Sequence, residues 1–328
     1  MNVVIVGLGN LGSAVATVLA NNGHSVTAWE FNQAVVDEVN LHHKNSVYQP
    51  AVAMPSSIVV TSDMQQLNIA QADAIIITLP SRFIEQALTQ LAPPESVPLV
   101  NMAKGINPDN GETVCQSLQR LFPKHVVAQL SGPSIANEFV SGVVTGFVAA
   151  SDARPLQLCL ASLFNNQHLS VQFCADRLGV ELGGVFKNCY ALGLGIVNQH
   201  ARAGLNFTGA YFTQALQEMR TLAVAMGAKS DTFDGIACLG DLIATALSES
   251  SHNRKMGELL AQGLSLSQVE QQMGVLAEGH KTLLAMLPLA QRHDVPMPLA
   301  QLIDELISDK LSLDDFFSGF NNLLKAPE

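Results

Sequence analysis

Hydrophobic and polar positions in the first half of the chain fall into alternating blocks of two kinds. Short apolar runs rich in β-branched residues predict buried strands, and segments of helical composition lie between several of them. This alternation predicts a mainly parallel sheet with helices on both faces. The predicted strands are 3–6, 25–29, 58–61, 74–79, 99–102, 126–130, 144–150 and 169–173, and the helices between them include 83–91 and 113–121.

From about residue 179 the pattern changes to long helical runs without strand-like segments. We therefore predict an α/β domain over residues 1–178 and an all-α domain over residues 179–328. The predicted helices of the second domain are 180–198, 208–226, 241–247, 253–262, 267–274, 279–293 and 298–309.

A glycine motif, GLGNLG at residues 7–12, connects the first strand to the first helix. Strand, glycine turn and helix follow in the order that a dinucleotide site needs. Gly7 makes the tight turn, Gly9 lets the backbone approach a pyrophosphate, and Gly12 lets helix and strand pack closely. The second strand ends at Glu30, where an acidic side chain typically binds a ribose. The motif predicts a Rossmann-like doubly wound sheet, against the alternative of a glycine turn that only packs a βαβ unit.

Composition narrows the classes of partner. The chain has 17 Lys and Arg against 28 Asp and Glu, a net charge of −11, which argues against nucleic acid or an anionic membrane. The apolar runs are too short to span a bilayer, and the chain opens on a strand rather than a signal peptide. Five scattered cysteines without a C-x-x-C pair predict reduced thiols in a cytoplasmic protein. No metal-ligand spacing of His or Cys is present, so we predict no metal site.

One lysine stands out in the predicted helix 180–198. Lys187 lies in the middle of a run of apolar and small residues, and lysine is almost never buried without a partner. Burial makes an ammonium a usable acid–base group, so Lys187 is a candidate for proton transfer. The alternative is a lysine that extends to solvent along the helix. Asn188, next to it, can hydrogen-bond a substrate hydroxyl.

Two further candidates follow predicted strands, at the sheet edge where ligands bind in open α/β folds. Lys104 precedes a glycine after the fifth strand, and the turn 132–134 (Gly-Pro-Ser) follows the sixth. Lys104 could reach into the crevice beyond the strands, and the turn could hold an oxygen-rich ligand. The alternative for each is an ordinary solvated loop.

The predicted helical domain contains two more polar clusters. Asp241 and Thr245 are four residues apart, on one helix face, and Asp241 could fix a lysine or cap the helix. Residues 251–255 (Ser-His-Asn-Arg-Lys) open a helix with hydroxyl, amide and cationic groups. Such a helix start favours an anion; the alternative is a solvated loop with a cap.

Taken as a set, these segments resemble the NAD(P)-dependent glycerol-3-phosphate dehydrogenase family over essentially the whole chain. The resemblance implies reversible hydride transfer between NAD(P)H and dihydroxyacetone phosphate, a phosphorylated triose. It rests on the order and spacing of GLGNLGSAVA, MAKGI, SGPSIANE, GVELGGVFKNCYALGLGI, LQEM, TFDGIACLGDLIAT, SHNRKMGELLAQG and LAEG.

The family pattern implies a role for each matching position. Lys187 would give and take the proton, with Asp241, Lys104 and Asn188 assisting. The resemblance assigns Lys104, Gly132, Ser134, Lys187, Asp241, Ser251 and Asn253 to the substrate site, and we add Thr245, His252 and Arg254 from their places in the sequence. It assigns Gly7, Gly9, Asn10, Leu11, Gly12, Ala136 and Glu278 to the cofactor site, and we add Glu30 and Lys104.

The chain departs from this pattern at four positions. His252 replaces an arginine near the substrate phosphate, with Arg254 as the alternative cation, and Gln214 replaces a second arginine. Leu11 stands in place of an aromatic residue, and Phe31 in place of a basic one. The acidic Glu30 favours NAD over NADP because it repels a 2′-phosphate.

Two other functions fit the same residues. The first is the same fold and mechanism acting on a different small 2-oxo compound, including an unphosphorylated one, because two arginines are missing. The second is a non-catalytic NAD(H)-binding, redox-responsive protein, although a binding protein needs no buried acid–base lysine. The apolar, charge-poor composition also makes a homodimer the expected assembly.

Overall fold

The computed structural model describes residues 1–274 and 278–325, and the chain forms two compact units. The sequence places the boundary between residues 178 and 179, and the observed division lies within the first turn of a long helix. The first unit comprises Met1–Gly105 with Glu112–Arg177, and the second comprises Ile106–Gly111 with the described chain from Leu178 onward.

The short segment Ile106–Gly111 packs with the second unit, although the sequence assigns it to the first domain. Ile106 lies against the apolar core of that unit. Gly111 has φ +74° and passes so close to Leu289 that an added Cβ would lie 2.4 Å from its Cδ2. The segment therefore belongs to the second unit because its apolar residues pack there, although the chain on both sides of it belongs to the first unit.

Eight strands of the first unit form one sheet in the order β10-β9-β8-β7-β6-β1-β2-β5, and β3 and β4 form a separate antiparallel pair. Neighbouring strands are parallel except for β8 and β9, so the predicted mainly parallel sheet is confirmed. The small β3–β4 pair was not predicted. The strands are β1 (Asn2–Val6), β2 (Ser25–Trp29), β3 (Lys44–Asn45), β4 (Gln49–Ala53), β5 (Val59–Thr61), β6 (Ala74–Ile77), β7 (Leu99–Asn101), β8 (Val127–Ser131), β9 (Thr145–Ala150) and β10 (Leu169–Cys174).

Helices cover both faces of this sheet because successive strand residues point to opposite sides. Val3 and Ile5 of β1 belong to one apolar core, and Val4 and Val6 belong to another. The doubly wound arrangement predicted from the sequence is thus confirmed. The helices of this unit are α1 (Asn10–Asn21), α2 (Gln33–His42), α3 (Ser81–Leu91), α4 (Val114–Leu121), α5 (Ala136–Val140) and α6 (Arg154–Phe164).

The second unit is built around one central helix, α7, in which every residue from Gly179 to Val197 is buried. The predicted all-α domain is confirmed, although the last helix was not predicted. A π-helical turn at Ile236–Gly240 runs directly into α9. The helices are α7 (Arg177–Val197), α8 (Leu205–Ala225), α9 (Asp241–Leu247), α10 (His252–Ala261), α11 (Leu266–Met273), α12 (Glu278–Arg292), α13 (Pro298–Ile307) and α14 (Leu313–Leu323).

By length and composition, helix α7 departs from the prediction that the apolar runs are too short to span a bilayer. Within residues 1–274 and 278–325 it is the single helix long and apolar enough to cross a membrane, and its apolar stretch lies wholly inside the protein. A buried core helix satisfies the same length and hydropathy criteria as a membrane span.

Candidate active site

The glycine turn of the first unit has three glycines with three different surroundings. Gly7 has φ +102°, and a Cβ on Gly12 would lie 2.0 Å from the Gly7 carbonyl oxygen. Both positions therefore exclude larger residues for reasons of fold alone. A Cβ on Gly9 would meet nothing within 4 Å. The open space at Gly9 fits a ligand group that approaches the backbone at the start of α1.

Side chains outside the motif fix the shape of this turn. The Leu8 carbonyl accepts hydrogen bonds from Ser13 Oγ at 2.9 Å and Asn45 Nδ2 at 2.8 Å. Thr78 Oγ1 donates to the Gly7 carbonyl at 2.6 Å. Sequence reasoning missed Asn45 and Thr78. Thr78 follows β6 at the carboxyl edge of the sheet, a usable signal, whereas nothing in the sequence points to Asn45.

Glu30 lies at the end of β2 and is only 3% exposed. Its Oε2 accepts the Leu8 N–H at 3.0 Å, and its Oε1 accepts the Asn32 N–H at 3.1 Å. The carboxylate therefore joins the glycine turn to the segment that follows β2. This is the position at which a Rossmann-type site holds the adenosine ribose.

Two predicted cofactor residues, Asn10 and Leu11, begin helix α1. The Asn10 side chain is exposed and accepts a hydrogen bond from Gln49 Nε2. Leu11 is half-buried and packs against the core of the first unit. An aliphatic side chain at position 11 therefore contributes packing but no flat ring surface.

Lys104 follows β7 on a segment held by buried amides. Asn101 Nδ2 donates to Gln129 Oε1 at 2.6 Å and to the Ala103 carbonyl at 2.9 Å, and Asn101 Oδ1 accepts the Ala103 N–H at 3.0 Å. Sequence reasoning did not identify Asn101 or Gln129 as residues that position Lys104. They fix the backbone immediately before Lys104, which is itself half-buried.

The predicted turn after β8 is also shaped by one glycine. Gly132 has φ +137°, and a Cβ there would lie 2.5 Å from the Gly146 carbonyl oxygen. In the described part of the chain, the buried Ser131 hydroxyl has no hydrogen-bond partner, which is rare for a buried polar atom. Ser134 is half-buried, and Ala136 begins helix α5. The turn is thus specific in shape and carries an unused donor.

In the second unit, Lys187 is 3% exposed and Asp241 is 1% exposed. The Lys187 ammonium donates to Asp241 Oδ1 and to Thr245 Oγ1, and it lies 3.5 Å from the Asp241 carbonyl oxygen. Asp241 and Thr245 thus reach the same amine from one face of α9. The π turn continues into α9, so Asp241 is its first residue rather than its cap. Buried charges need partners of this kind.

Glycines along α7 allow the neighbouring elements to pack closely against this helix. A Cβ on Gly183 would lie 2.2 Å from Cys238 Sγ, in the π turn before Asp241. A Cβ on Gly195 would lie 2.2 Å from the Arg254 carbonyl oxygen of α10. A π turn directly before a functional residue is a common feature of active sites.

Asn188 belongs to a second network of hydrogen bonds. Its Oδ1 accepts from Asn253 Nδ2 at 3.0 Å, and Asn253 Oδ1 accepts the Gly279 N–H at 2.7 Å. This network connects α7, α10 and the start of α12. The predicted cofactor residue Glu278 begins α12 and is half-buried. In the LAEG motif, Leu276 and Ala277 lie outside the described residues.

The segment before α10 has the predicted cap. Ser251 Oγ accepts the Arg254 N–H at 3.3 Å. Arg254, the alternative cation, is engaged elsewhere: its Nε donates to Glu258 at 3.0 Å and its Nη1 to the Leu247 carbonyl at 2.6 Å. His252 is exposed, and the partial burial of its imidazole lowers the pKa below the ordinary 6.5. At neutral pH the helix start therefore carries little side-chain positive charge at position 252.

Gln214, which stands in place of the second arginine, forms a hydrogen bond with the buried carboxylate of Glu218. Its Nε2 donates to Glu218 Oε1 at 3.2 Å. Glu218 also accepts the N–H groups of Leu299 and Ala300 and the Tyr190 hydroxyl at 2.9 Å. Burial raises the pKa of Glu218, and these donors oppose the rise. The cluster joins α7, α8 and the start of α13.

Two observations show that the residues of the first unit are suited to bind a dinucleotide. The space at Gly9 leaves the start of α1 open to an anionic group. Glu30 is held beside the same turn with both oxygens able to accept a further hydrogen bond. These are the two contacts that a pyrophosphate and a ribose need in this fold.

Comparison with known proteins places both parts of the chain in one family. The family profile described as NAD-dependent glycerol-3-phosphate dehydrogenase N-terminus matches residues 2–156, and its C-terminus counterpart matches residues 176–318. A protein of Bacillus pumilus named glycerol-3-phosphate dehydrogenase [NAD(P)+] is 34% identical, over 99% of this chain and 95% of that protein. A protein of the same name from Halalkalibacterium halodurans is 36% identical, over 92% and 88%.

A solved structure shares the whole fold. The crystal structure of glycerol-3-phosphate dehydrogenase from Coxiella burnetii superposes with a TM-score of 0.89 at 28% identity, covering 99% of both chains. Both family profiles and near-full-length relatives above 30% identity agree with the sequence motifs. The chain belongs to the NAD-dependent glycerol-3-phosphate dehydrogenase family.

Proposed function

We propose that this protein catalyses the reversible reduction of dihydroxyacetone phosphate to sn-glycerol 3-phosphate with NAD(P)H. The observation that carries the proposal is the buried Lys187 ammonium, bonded to Asp241 and Thr245 on the helix pair that the family profile matches. A buried ammonium with a fixed carboxylate is costly to fold and suited to proton transfer.

The glycine turn holds the cofactor in this proposal. The open backbone at Gly9 receives the pyrophosphate, Glu30 accepts from the ribose, and Asn10 and Leu11 form the wall at the start of α1. Ala136 and Glu278 are the further positions that we assign to the cofactor. The bound nicotinamide supplies the hydride and takes it back in the reverse direction.

Lys187 supplies the proton. In the reducing direction it donates one proton from Nζ to the ketone oxygen, which becomes the hydroxyl of the product, and Lys187 is left as the neutral amine. The Asp241 carboxylate favours the ammonium form and thereby helps the amine to regain a proton from solvent. Lys104 and Asn188 stabilise the oxygen as negative charge develops.

The remaining polar residues hold the substrate. Ser251, His252 and Asn253 offer a hydroxyl, an imidazole and an amide at the start of α10, where the helix dipole favours a phosphate. Gly132 and Ser134 offer backbone and hydroxyl contacts after β8. Arg254 contributes through the backbone of the same turn, because its guanidinium is bonded to Glu258 and Leu247.

The proposal includes a small phosphorylated triose as the partner, a homodimer and a cytoplasmic location. Charged residues make up only 14% of the chain and hydrophobic residues 48%, which supports an association surface. Light scattering coupled to size-exclusion chromatography tests the dimer.

The decisive experiment is NADH oxidation with three ketones: dihydroxyacetone phosphate, dihydroxyacetone and ketopantoate. We expect the phosphorylated triose to have the highest kcat/KM, because the start of α10 recognises an anion. A higher kcat/KM for an unphosphorylated ketone would assign the enzyme to another 2-oxo substrate. Tight NADH binding without turnover of any of the three would identify a non-catalytic binding protein.

A further inference from the structure

We propose that the hairpin formed by β3 and β4, residues 44–53, positions the glycine turn for the cofactor. Its positioning residues are Asn45 and Gln49, which act on the turn without touching the bound dinucleotide. The proposal rests on the pyrophosphate site proposed at Gly9. It concerns the affinity for NAD(H), so it holds whichever ketone is reduced.

The two amide side chains of the hairpin lie on the same face. Asn45 and Gln49 are directly opposite each other in the antiparallel pair, and residues paired in this way project to one side of a sheet. Both are buried, with 0% and 3% of the residue exposed. A buried amide is costly unless its N–H groups find partners, and these partners belong to the glycine turn and the start of α1.

Asn45 binds the chain on both sides of Gly9. Its Nδ2 donates to the Leu8 carbonyl and to Ser13 Oγ, each at 2.8 Å, which uses both donors of the amide. Ser13 Oγ itself donates to the Leu8 carbonyl at 2.9 Å. Asn45 Oδ1 accepts the Tyr48 N–H at 3.3 Å, which fixes the orientation of the amide within the hairpin. One side chain therefore ties the peptide before Gly9 to the first turn of α1.

Gln49 extends the contact to the first residue of α1. Its Nε2 donates to the Asn10 side chain and lies 3.4 Å from the Asn10 carbonyl oxygen. The hairpin leaves Gly9 itself open, since a Cβ there would meet no atom within 4 Å. The backbone at this glycine approaches the pyrophosphate in a Rossmann-type turn. The hairpin therefore frames the space for the ligand without filling it.

The hairpin is itself held by the rest of the first unit. Glu38 of α2 accepts the Ser46 N–H at 3.0 Å, and the Met54 N–H donates to the His43 carbonyl at 2.9 Å. A turn that is fixed before the ligand arrives loses less conformational freedom on binding. Removing a hairpin amide should therefore weaken cofactor binding through the shape of the turn.

Calorimetric titration of the full protein with NADH, without a ketone, tests the proposal. The variants are Asn45→Ala and Gln49→Met, and the matched control is Asn40→Ala. The Asn40 amide also makes two hydrogen bonds to backbone, with the Val60 carbonyl at 2.8 Å and the Val60 N–H at 3.1 Å, but outside the glycine turn. We expect the Kd of NADH to rise about three- to tenfold in each hairpin variant. It should not change in Asn40→Ala.

Steady-state kinetics give a readout that a merely structural role would not move. The KM for NADH should rise in the hairpin variants by the same factor as the Kd, whereas kcat at saturating NADH should not change, because the lost interaction acts on binding alone. A fall in kcat with an unchanged KM for NADH would overturn the proposal.

The Kd values alone also decide the proposal. An unchanged Kd in both hairpin variants, or an equal rise in Asn40→Ala, would overturn it. If Asn45→Ala fails to fold, Gln49→Met decides, because its partner Asn10 is exposed. Gly9→Ala separates this proposal from the site on which it rests. Weaker NADH binding in Gly9→Ala with unchanged hairpin variants would refute the role of the hairpin alone, whereas an unchanged Kd in Gly9→Ala would refute the pyrophosphate site.

Discussion

The Lys187 ammonium and the Asp241 carboxylate form an ion pair inside the second unit, with 4% and 1% of the two side chains exposed. The pair joins α7 to the first residue of α9. Removing one member leaves the other as an uncompensated buried charge, which costs about 3–5 kcal/mol. Any substitution here therefore changes stability as well as chemistry, and an experiment must separate the two.

Replacing Lys187 with Met should lower kcat by about 10²–10⁴-fold, the usual contribution of a positioned acid–base group. Methionine keeps the unbranched apolar part of the side chain and removes the ammonium group. We expect the Kd of NADH to change little, because the glycine turn lies in the first unit. Steady-state kinetics and a fluorescence titration of NADH, followed through the single tryptophan, Trp29, measure the two quantities.

The double variant Lys187→Met with Asp241→Asn is the control for stability. Neutralising both members removes the unpaired charge, so the urea midpoint should recover relative to Lys187→Met alone. Activity should remain as low as in the single variant. Recovery of kcat together with stability would show that Lys187 has a structural role only.

Gly9→Ala tests the open space at the glycine turn. Gly9 has φ −67° and ψ −165°, which alanine adopts readily, and its Cβ would meet no atom within 4 Å. The stability cost should stay near 1 kcal/mol or less, the usual difference at a helix N-cap. The Kd of NADH should rise about tenfold or more, because a methyl group would occupy the space of a bound phosphate.

Gly12→Ala is the matched comparison. Its Cβ would lie 2.0 Å from the Gly7 carbonyl oxygen, so we expect a loss of about 1–3 kcal/mol in unfolding free energy. Thermal melting and NADH titration of both variants distinguish the two glycines. Unchanged NADH affinity in Gly9→Ala would exclude the proposed pyrophosphate site.

The glycine turn could be predicted from the sequence because its signals are local. Strand, glycine turn and helix are consecutive, and their order alone indicated where Gly7, Gly9 and Gly12 lie. Asn45 could not be predicted, because its contact with the Leu8 carbonyl joins residues that are 37 apart. Hydrogen bonds across such separations depend on the tertiary fold and leave no periodic pattern.

The surroundings of Lys187 show the same limit. The apolar surroundings of Lys187 indicated burial, and the spacing of Asp241 and Thr245 indicated a shared face. The pairing of the two elements depends on glycines that let α7 approach the π turn, such as Gly183. The guanidinium of Arg254 was expected to be available, whereas the structure bonds it to Glu258. Side-chain partners of this kind are decided by packing rather than by local sequence.

His252→Arg tests whether position 252 meets a phosphate. Burial lowers the pKa of the His252 imidazole, so it is mostly neutral at about pH 7.5. A permanent guanidinium should lower the KM for dihydroxyacetone phosphate about tenfold, the usual worth of a charge-assisted hydrogen bond. The KM for unphosphorylated dihydroxyacetone should not change. Kinetics with both ketones measure the difference.

Lys255→Arg is the control, because it exchanges one cation for another on the exposed side of the same helix. The pH dependence adds a second readout between about pH 6 and 8. The substrate phosphate titrates in this range in both proteins, so only the difference between wild type and His252→Arg is informative. A KM ratio that stays constant over this range would show that His252 does not contact the phosphate.

The lowered pKa values of His252 and His280 predict the sign of the acid dependence of stability. Burial is the first cause of both shifts, so between the folded pKa and the ordinary 6.5 the unfolded chain binds more protons. The contribution of these histidines to the free energy of unfolding should be complete above the ordinary pKa of 6.5 and should be lost as the pH falls toward the folded pKa. His280→Gln should flatten the decline measured by urea unfolding. An equally steep decline in the variant would assign the acid sensitivity to other groups.

Two helix glycines of the second unit should respond in opposite directions. A Cβ on Gly195 would lie 2.2 Å from the Arg254 carbonyl oxygen, whereas one on Gly209 in α8 would meet no atom within 4 Å. Gly195→Ala should lower the unfolding free energy by about 1–3 kcal/mol and reduce kcat/KM, because it moves Asn253 away from Asn188. Gly209→Ala should stabilise the protein by up to about 1 kcal/mol through helix propensity and leave kcat/KM unchanged. Thermal melts and kinetics of both variants check the pair, and equal stability of the two would contradict the close crossing of α7 and α10.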